Sequence, residues 1–264
     1  MTQSERLDFL IRELLNENPI CQRIPSQEQE KKALLRALFN RRPPLPSTKA
    51  FLKVQDSYLQ EEQKRRGITD VAGFQPVRGN LCLWRGDITT LRVEGIVNAA
   101  NSSLLGCFMP GHGCIDNAIH TCAGIQLRLA CAKIMERQGH PEPPGRAKLT
   151  PGFNLPCGYV LHTVGPVVSG GLTNNECDLL SSCYRSCLAL AEKKGLQSIA
   201  FCCISTGEFR FPNERAAEIA VETVDKYLAG TKSKIKVIFN VFKENDYQIY
   251  RRLLATDKGF SEGT

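Results

Sequence analysis

The sequence has no long apolar run and no dense block of basic residues. No stretch approaches the roughly 20 apolar residues that a membrane span needs, and acidic residues interrupt the apolar positions of residues 1–17, which argues against a signal peptide. The formal net charge of +7 would suit an anionic ligand. Lys and Arg are scattered, however, so nucleic-acid binding is not expected. We therefore expect a cytoplasmic protein without a membrane partner, whose twelve cysteines are reduced thiols.

The predicted secondary structure changes near residue 75, from helices alone to alternating strands and helices. Before that point, the patterns predict three helices, over residues 1–17, over EQEKKALLRALFNRR (28–42) and over FLKVQDSYLQEEQKRR (51–66). Their apolar stripes need a surface to cover, so we expect them to dock on the rest of the protein. The predicted organisation is a helical N-terminal extension over residues 1–75 and a second domain over residues 76–264.

Beyond residue 75, apolar β-rich runs alternate with helical patterns. The predicted strands are LCLWR (81–85), VEGIVNA (93–99), YVLHTVG (159–165), SIAFCC (198–203) and KVIFNVF (236–242). The predicted helices cover residues 115–136, 175–194, 213–229 and 244–254. This alternation favours an α/β sandwich around a mostly parallel sheet. Runs that are apolar at nearly every position are typical of strands covered on both faces.

Three of these strands run into polar or glycine-containing turns. The turns lie in RGDITTL (85–91), IVNAANSS (96–103) and CCISTGEFRFP (202–212). In open α/β sheets, ligands bind outside the carboxyl ends of the strands, and backbone N–H groups at a turn that enters a helix favour phosphate. One such turn is weak evidence because Asn, Ser and Gly form ordinary loops. Three such turns at one edge of the predicted sheet together predict a nucleotide-like ligand.

Five segments in this order resemble the motifs of the macrodomain, an ADP-ribose-binding module. They are GDIT (86–89), IVNAAN (96–101), YVLHTVGP (159–166), ISTGEFRFPNE (204–214) and VIFNVF (237–242). The resemblance implies a three-layer α/β/α fold with a mostly parallel mixed sheet, preceded here by the helical extension. CIDNAIH (114–120) is similar to the segment that carries the catalytic aspartate in MacroD-type ADP-ribosyl hydrolases.

The glycine run that usually precedes this segment is missing, and Cys107, His112 and Cys114 stand there instead. Together with the extension, they resemble a zinc-containing microbial subclass that is associated with reversal of ADP-ribosylation by a linked sirtuin. Zn²⁺ takes Cys and His ligands, and a catalytic site keeps one position open. The spacing alone leaves a second interpretation, in which both cysteines are small hydrophobic residues and His112 is a solvated loop residue.

The resemblance also implies the residues that bind ADP-ribose. Asp87 would accept a hydrogen bond from the adenine amine, the Ile88 backbone would read the ring edge, and Phe242 would stack on adenine. The alternatives are a capping role for Asp87 and core packing for Phe242. Asn101 would bind the ribose nearest the protein linkage. The second diphosphate loop would comprise Ser205, Thr206, Gly207, Glu208 and Phe209.

Asp116 is the predicted catalytic residue, with Asn101 beside it. The carboxylate would activate a water for attack at the anomeric centre; the alternative is a capping carboxylate at a helix start. Asn98 is expected to brace its turn, and His120 and His162 are expected to be structural.

The predicted function is zinc-dependent removal of mono-ADP-ribose from protein side chains, with Asp or Glu esters as the expected linkage. One alternative is a non-catalytic ADP-ribose reader, which needs the adenine and phosphate contacts but neither the carboxylate nor the metal. Another is deacetylation of O-acetyl-ADP-ribose. The expected partners are ADP-ribose, an ADP-ribosylated protein and a sirtuin-type ADP-ribosyltransferase.

Overall fold

The structure, a computed structural model, describes residues 1–17 and 23–255. In this part of the chain the elements follow in the order α1 (Gln3–Glu17), α2 (Glu28–Arg41), α3 (Lys49–Arg66), β1 (Thr69–Asp70), β2 (Leu81–Arg85), β3 (Leu91–Arg92), β4 (Gly95–Ala100), α4 (Ile115–Ala123), α5 (Ile125–Gln138), β5 (Ala147–Pro151), β6 (Tyr159–Val164), α6 (Asn174–Lys194), β7 (Ser198–Phe201), α7 (Asn213–Thr231), β8 (Lys236–Val241) and α8 (Glu244–Ala255). The three predicted N-terminal helices are confirmed. The boundary at residue 75 stays a prediction.

A six-stranded sheet forms the centre of the part of the chain that the structure describes. Its order is β2-β8-β7-β4-β6-β5, and the strands are parallel except for β5, which runs antiparallel to β6. The central strands β4, β7 and β8 are buried at almost every position, so helices cover both of their faces. The predicted three-layer α/β/α fold with a mostly parallel mixed sheet is therefore confirmed.

Several strands differ from the prediction. β7 ends at Phe201, so Cys202 and Cys203 lie in the loop that follows it. The antiparallel edge strand β5 was not predicted, because its sequence AKLTP is short, has only Ala147 and Leu149 as apolar side chains before a proline, and so gives a weak strand signal. β1 pairs with β3 in a separate two-stranded sheet. These differences affect strand ends and an edge, while the central strands match.

The predicted single helix over residues 115–136 is wrong, because Gly124 divides it into α4 and α5. Gly124 has a φ of +92°, which a residue with a side chain rarely adopts. The Gln55 side chain of α3 accepts a hydrogen bond from the Ile125 amide at 3.0 Å, which satisfies an N–H at the start of α5. A Cβ at position 124 would lie 2.7 Å from that Gln55 side chain. The positive φ of Gly124 therefore ends α4, and the approach of α3 leaves no room for a side chain there.

The apolar stripes of the three N-terminal helices pack mainly against one another. Their buried cluster consists of Leu7, Leu10, Ile11, Leu14, Leu34, Leu35, Leu38, Phe39, Phe51, Tyr58, Leu59 and, from α5, Ile125. The extension contacts the second domain, as expected, but its apolar stripes mostly cover one another. Because the helices already cover one another's apolar faces, their attachment to the α/β part uses mostly polar side chains.

Arg128 is one of these polar side chains and makes four hydrogen bonds. Its Nη1 donates to the carbonyl oxygens of Phe39, Asn40 and Arg42 at the end of α2. Its Nε donates to the Leu105 carbonyl at 2.6 Å. The last carbonyls of a helix have no partner within the helix. The buried guanidinium therefore caps α2 and ties it to the loop after β4.

The described residues contain no helix that is both long and apolar enough to cross a membrane. Every cysteine within residues 1–17 and 23–255 is a free thiol. Cys183, Cys187 and Cys202 are buried in the core around the six-stranded sheet.

We predict that Arg128→Met lowers the free energy of unfolding by about 3 kcal/mol, because it leaves buried carbonyl groups without a donor. The exposed Arg137→Met on the same helix removes the same charge and serves as the control. Thermal unfolding followed by circular dichroism measures both. Equal melting temperatures for the two variants would contradict the capping role.

Candidate active site

The carboxyl ends of β2, β4, β7 and β8 meet at one edge of the sheet, because these strands are parallel. Asp87 follows β2, Asn101 follows β4, and Phe242 follows β8. Ser205 lies in the loop after β7. The structure therefore brings the predicted ligand-binding segments together at the edge where open α/β sheets bind ligands.

Asp116 lies in the first turn of α4 and is only 5% exposed. Asn98 Nδ2 donates to its Oδ1 at 2.8 Å, and Asn101 Nδ2 donates to its Oδ2 at 3.2 Å. Burial raises the pKa of Asp116 to about 6, while the hydrogen bond from Asn98 and the charge of Arg128 oppose this rise. A carboxylate with both oxygens held and a pKa near neutrality is suited to general-base chemistry.

Asn98 does more than brace its turn, because its amide also links Asp116 to His162. Asn98 Nδ2 lies 3.2 Å from His162 Nδ1, and Thr150 Oγ1 lies 2.9 Å from His162 Nε2. Burial lowers the pKa of His162 to about 3, so the ring is neutral. An amide nitrogen can only donate, so we assign Nδ1 as the acceptor and Nε2–H as the donor to Thr150. Asn98 was the positioning residue that sequence reasoning missed.

His120 lies against the same carboxylate, with its Nε2 3.5 Å from Asp116 Oδ1. Burial holds the pKa of His120 well below its usual range. Ligand atoms of His120, Cys131 and His162 lie within 4.8 Å of one another. Because Asn98 and Thr150 already occupy both His162 nitrogens, we assign this buried trio to the core.

Cys107, His112 and Cys114 converge in the loop before α4. Their sulfur and nitrogen atoms lie within 4.8 Å of one another, and Cys107 Sγ is 3.5 Å from His112 Nδ1. All three side chains are partly exposed, unlike the hydrophobic cysteines of the core. Two thiols and an imidazole around one accessible point are a donor set that suits Zn²⁺ with an open position. The residues present therefore fit a zinc ion.

After β2, Asp87 caps the short helical turn Ile88–Thr90. Its Oδ1 accepts a hydrogen bond from the Thr89 amide at 2.9 Å, and its Oδ2 lies 3.2 Å from Arg66 Nη1 of α3. Ile88 is buried beside it. Phe242 is 76% exposed, so the core-packing alternative is wrong and its ring is open to a ligand. The contacts of Asp87, Ile88 and Phe242 with adenine stay predictions.

The loop after β7 holds Ser205 in a left-handed conformation, with a φ of 66°. Its Oγ is buried and has no hydrogen-bond partner among the described residues. A Cβ at Gly165, after β6, would collide with this hydroxyl, so the two loops need a glycine there. Thr206 Oγ1 donates to the Cys203 carbonyl at 3.0 Å. The loop is therefore held closely against the end of β6.

The tip of this loop faces the cysteine-rich loop of residues 107–114. Glu208 Oε1 lies 3.4 Å from His112 Nε2, and both Gly207 and Glu208 are exposed. Phe209 is partly buried against the main core. The two loops thus flank the same stretch of the sheet edge. The binding of diphosphate by Ser205, Thr206, Gly207, Glu208 and Phe209 stays a prediction.

Comparison with known proteins agrees with this geometry. Residues 97–220 match the Macro domain family. A Treponema medium protein named "Protein-ADP-ribose hydrolase" is 57% identical over 97% of this chain and 100% of its own length. The chain belongs to the macrodomain family. A Staphylococcus aureus (strain MRSA252) protein with the same name is 48% identical to this macrodomain over 96% of each chain.

Other relatives extend the comparison. A Fusarium oxysporum f. sp. cubense protein named "Probable bifunctional ADP-ribose hydrolase/ADP-ribosyltransferase" is 43% identical over 84% of this chain and 41% of its own length. The Oceanobacillus iheyensis macrodomain with ADP aligns with a TM-score of 0.61 at 38% identity, covering 69% of this chain and 93% of that one. The Trypanosoma brucei macrodomain in complex with ADP-ribose aligns with a TM-score of 0.64 at 32% identity, covering 80% and 92%.

We predict that the free energy of unfolding falls as the pH drops from 7 to 5, and that His162→Gln makes this fall smaller. The pKa of His162 is about 3 in the folded protein and about 6.5 when unfolded. The unfolded chain therefore binds more protons below about pH 6.5, which costs about 2 kcal/mol at pH 5. Denaturant unfolding at several pH values measures this effect. The exposed His140→Gln is the control, and equal pH slopes for the two variants would contradict the assignment.

Proposed function

We propose that this macrodomain is a zinc-dependent protein-ADP-ribose hydrolase that removes mono-ADP-ribose from modified side chains, with Asp or Glu esters as its substrates. The observation that carries the proposal is the buried Asp116 carboxylate, which is held between the Asn98 and Asn101 amides. It lies directly after the loop that contains the two thiols and the imidazole suited to zinc. The names of the Treponema medium and Staphylococcus aureus relatives, which match over nearly the whole chain, support the activity.

The proposed ligand lies along the carboxyl edge of the sheet. Its adenine stacks on exposed Phe242 and bonds to Asp87, and its diphosphate follows the loop of residues 205–209. Its terminal ribose lies beside Asn101, close to Asp116. The ADP and ADP-ribose complexes of the two aligned macrodomains support a nucleotide ligand for this fold. The strand order supports the path, because β8, β7 and β4 are neighbours in the sheet.

In the proposed reaction, Asp116 accepts a proton from a water molecule that attacks the anomeric carbon of the terminal ribose. The new bond joins the water oxygen to that carbon, and the bond to the side-chain ester oxygen breaks, so that the carboxylate leaves. Asn98 and Asn101 hold the Asp116 oxygens in place throughout. A zinc ion held by Cys107, His112 and Cys114 would supply electrostatic stabilisation of oxygen atoms at this end of the site.

The proposal extends to the cellular setting. The Fusarium oxysporum relative, whose name joins a hydrolase to an ADP-ribosyltransferase, supports a partnership with a transferase, and we propose one of the sirtuin type. The free thiols of the described residues suit the reducing cytoplasm, which we propose as the location.

We expect Asp116→Ala to lower turnover by about 10²–10⁴-fold, because the attacking water loses its base. The affinity for ADP-ribose should stay close to that of the wild type, since the adenine and diphosphate contacts lie elsewhere. Release of free ADP-ribose from a mono-ADP-ribosylated acceptor measures turnover, and calorimetry measures binding. Asp178→Ala, which changes an exposed carboxylate on α6, is the control. Binding without release by the wild type would instead establish the reader function.

We expect protein purified without chelator to contain about one zinc per chain, because three ligands and one exchangeable position suffice for binding. Elemental analysis measures this content. Cys107→Ser and His112→Ala should lose the metal, whereas Cys177→Ser, which changes a partly exposed thiol on α6, should retain it. Wild-type protein without zinc, or full zinc in the ligand variants, would refute the site.

A further inference from the structure

The segment from Cys107 to Cys114 has no regular secondary structure, although it must bring three donor side chains to one point. It contains Pro110, Gly111 and Gly113, and Gly111 has a φ of +66°. A segment of this composition gains many conformations when it is released, so contacts from outside must fix it. In the structure, much of this support comes from helix α2 of the N-terminal extension.

Arg36 of α2 reaches the loop directly. Its Nη2 donates to the His112 carbonyl at 2.9 Å. Its Nε and Nη2 also donate to Asn117 Oδ1, at 3.1 and 2.8 Å. The guanidinium therefore fixes the backbone of one donor residue and the side chain of Asn117 at the same time, through separate nitrogens whose directions its planar fork holds fixed.

Asn117 passes this constraint on to the middle of the loop. Its side chain is fully buried, and its Nδ2 donates to the Met109 carbonyl at 2.9 Å. Its backbone N–H donates to Cys114 Sγ at 3.4 Å. Both polar atoms of the Asn117 side chain are therefore bonded: Oδ1 to Arg36 and Nδ2 to the loop.

Asn40, one turn further along α2, holds the loop at a second point. Its Oδ1 accepts a hydrogen bond from the Gly111 amide at 2.9 Å, and its Nδ2 donates to Thr121 Oγ1 on α4 at 3.0 Å. Asn40 is itself buried. The two α2 side chains thus bond to backbone groups of Gly111 and His112, between the two cysteines.

We propose that Arg36 and Asn40 of the N-terminal extension are positioning residues for the metal site, which order the Cys107–Cys114 loop so that its three donors converge before a metal binds. The extension is then a structural part of the catalytic site. The inference rests on the proposed zinc site, and it assigns to α2 a role in metal affinity. Residues that orient metal ligands in this way commonly set affinity by 10–100-fold.

The test is a Co²⁺ titration of the full-length protein, because cobalt bound by thiolates absorbs visible light in a pattern that reports ligand geometry. Arg36→Met should bind Co²⁺ about 10–100-fold more weakly than the wild type and show altered bands. Arg36→Lys, which retains the charge but not the fork, should recover part of the affinity. Arg41→Met, an exposed position on the same helix, should match the wild type. Chelator competition gives the corresponding affinities for zinc.

The outcomes separate the two proposals. A wild-type protein that takes up neither Co²⁺ nor Zn²⁺ refutes the zinc site and the positioning role together. A wild type that binds metal, with an unchanged affinity and spectrum in Arg36→Met, refutes the positioning role and leaves the zinc site intact. If metal-free Arg36→Met does not fold, as judged by circular dichroism, Arg36→Lys decides. Weaker metal binding by Arg36→Lys supports the positioning role, and an affinity equal to that of the wild type refutes the positioning role.

Discussion

The buried carboxylate of Asp116 is the feature on which the rest of the site depends. A carboxylate that is almost fully removed from water is costly unless hydrogen bonds or nearby charges compensate it. Here Asn98 and Asn101, three residues apart at the end of β4, supply one donor to each oxygen. This arrangement requires the carboxyl end of β4 to lie beside the first turn of α4. The connection between the two must therefore leave the edge and return, and that excursion is the cysteine-rich loop.

The sheet brings the other parts of the site to the same carboxylate. Because five of the six strands in the larger sheet of the described residues are parallel, the loops after them share one edge. Ser205 lies against Gly165, where only glycine leaves room for its hydroxyl, and Glu208 reaches the vicinity of His112. Exposed Phe242 lies at the end of β8. A ligand that runs from Phe242 to Asp116 would therefore cross the ends of three neighbouring strands, a path that suits an elongated dinucleotide-like molecule.

Local patterns predicted the central strands and most helices, because these features are encoded within a few neighbouring positions, and the resemblance to the macrodomain motifs supplied the candidate site residues. Contacts between distant segments were not predictable in this way. Gln55 of α3 lies against Gly124 and bonds to the next residue, and nothing near residue 124 records that approach. Asn98 looked like an ordinary turn residue, and its link to His162 depends on the pairing of β4 with β6. AKLTP forms an edge strand because β6 lies beside it, and its own pattern is weak.

The N-terminal helices show why an extension can belong to a site although it has its own apolar core. An apolar interface tolerates small shifts, whereas hydrogen bonds to a guanidinium fix direction as well as distance. The extension places such groups at both ends of the proposed ligand path: Arg36 beside the cysteine-rich loop and Arg66 on Asp87. Since α2 and α3 pack with α1 in one cluster, a displacement of that cluster would disturb both ends together. The separation between Asp87 and the loop of residues 107–114 is therefore set partly by the extension, as well as by the sheet.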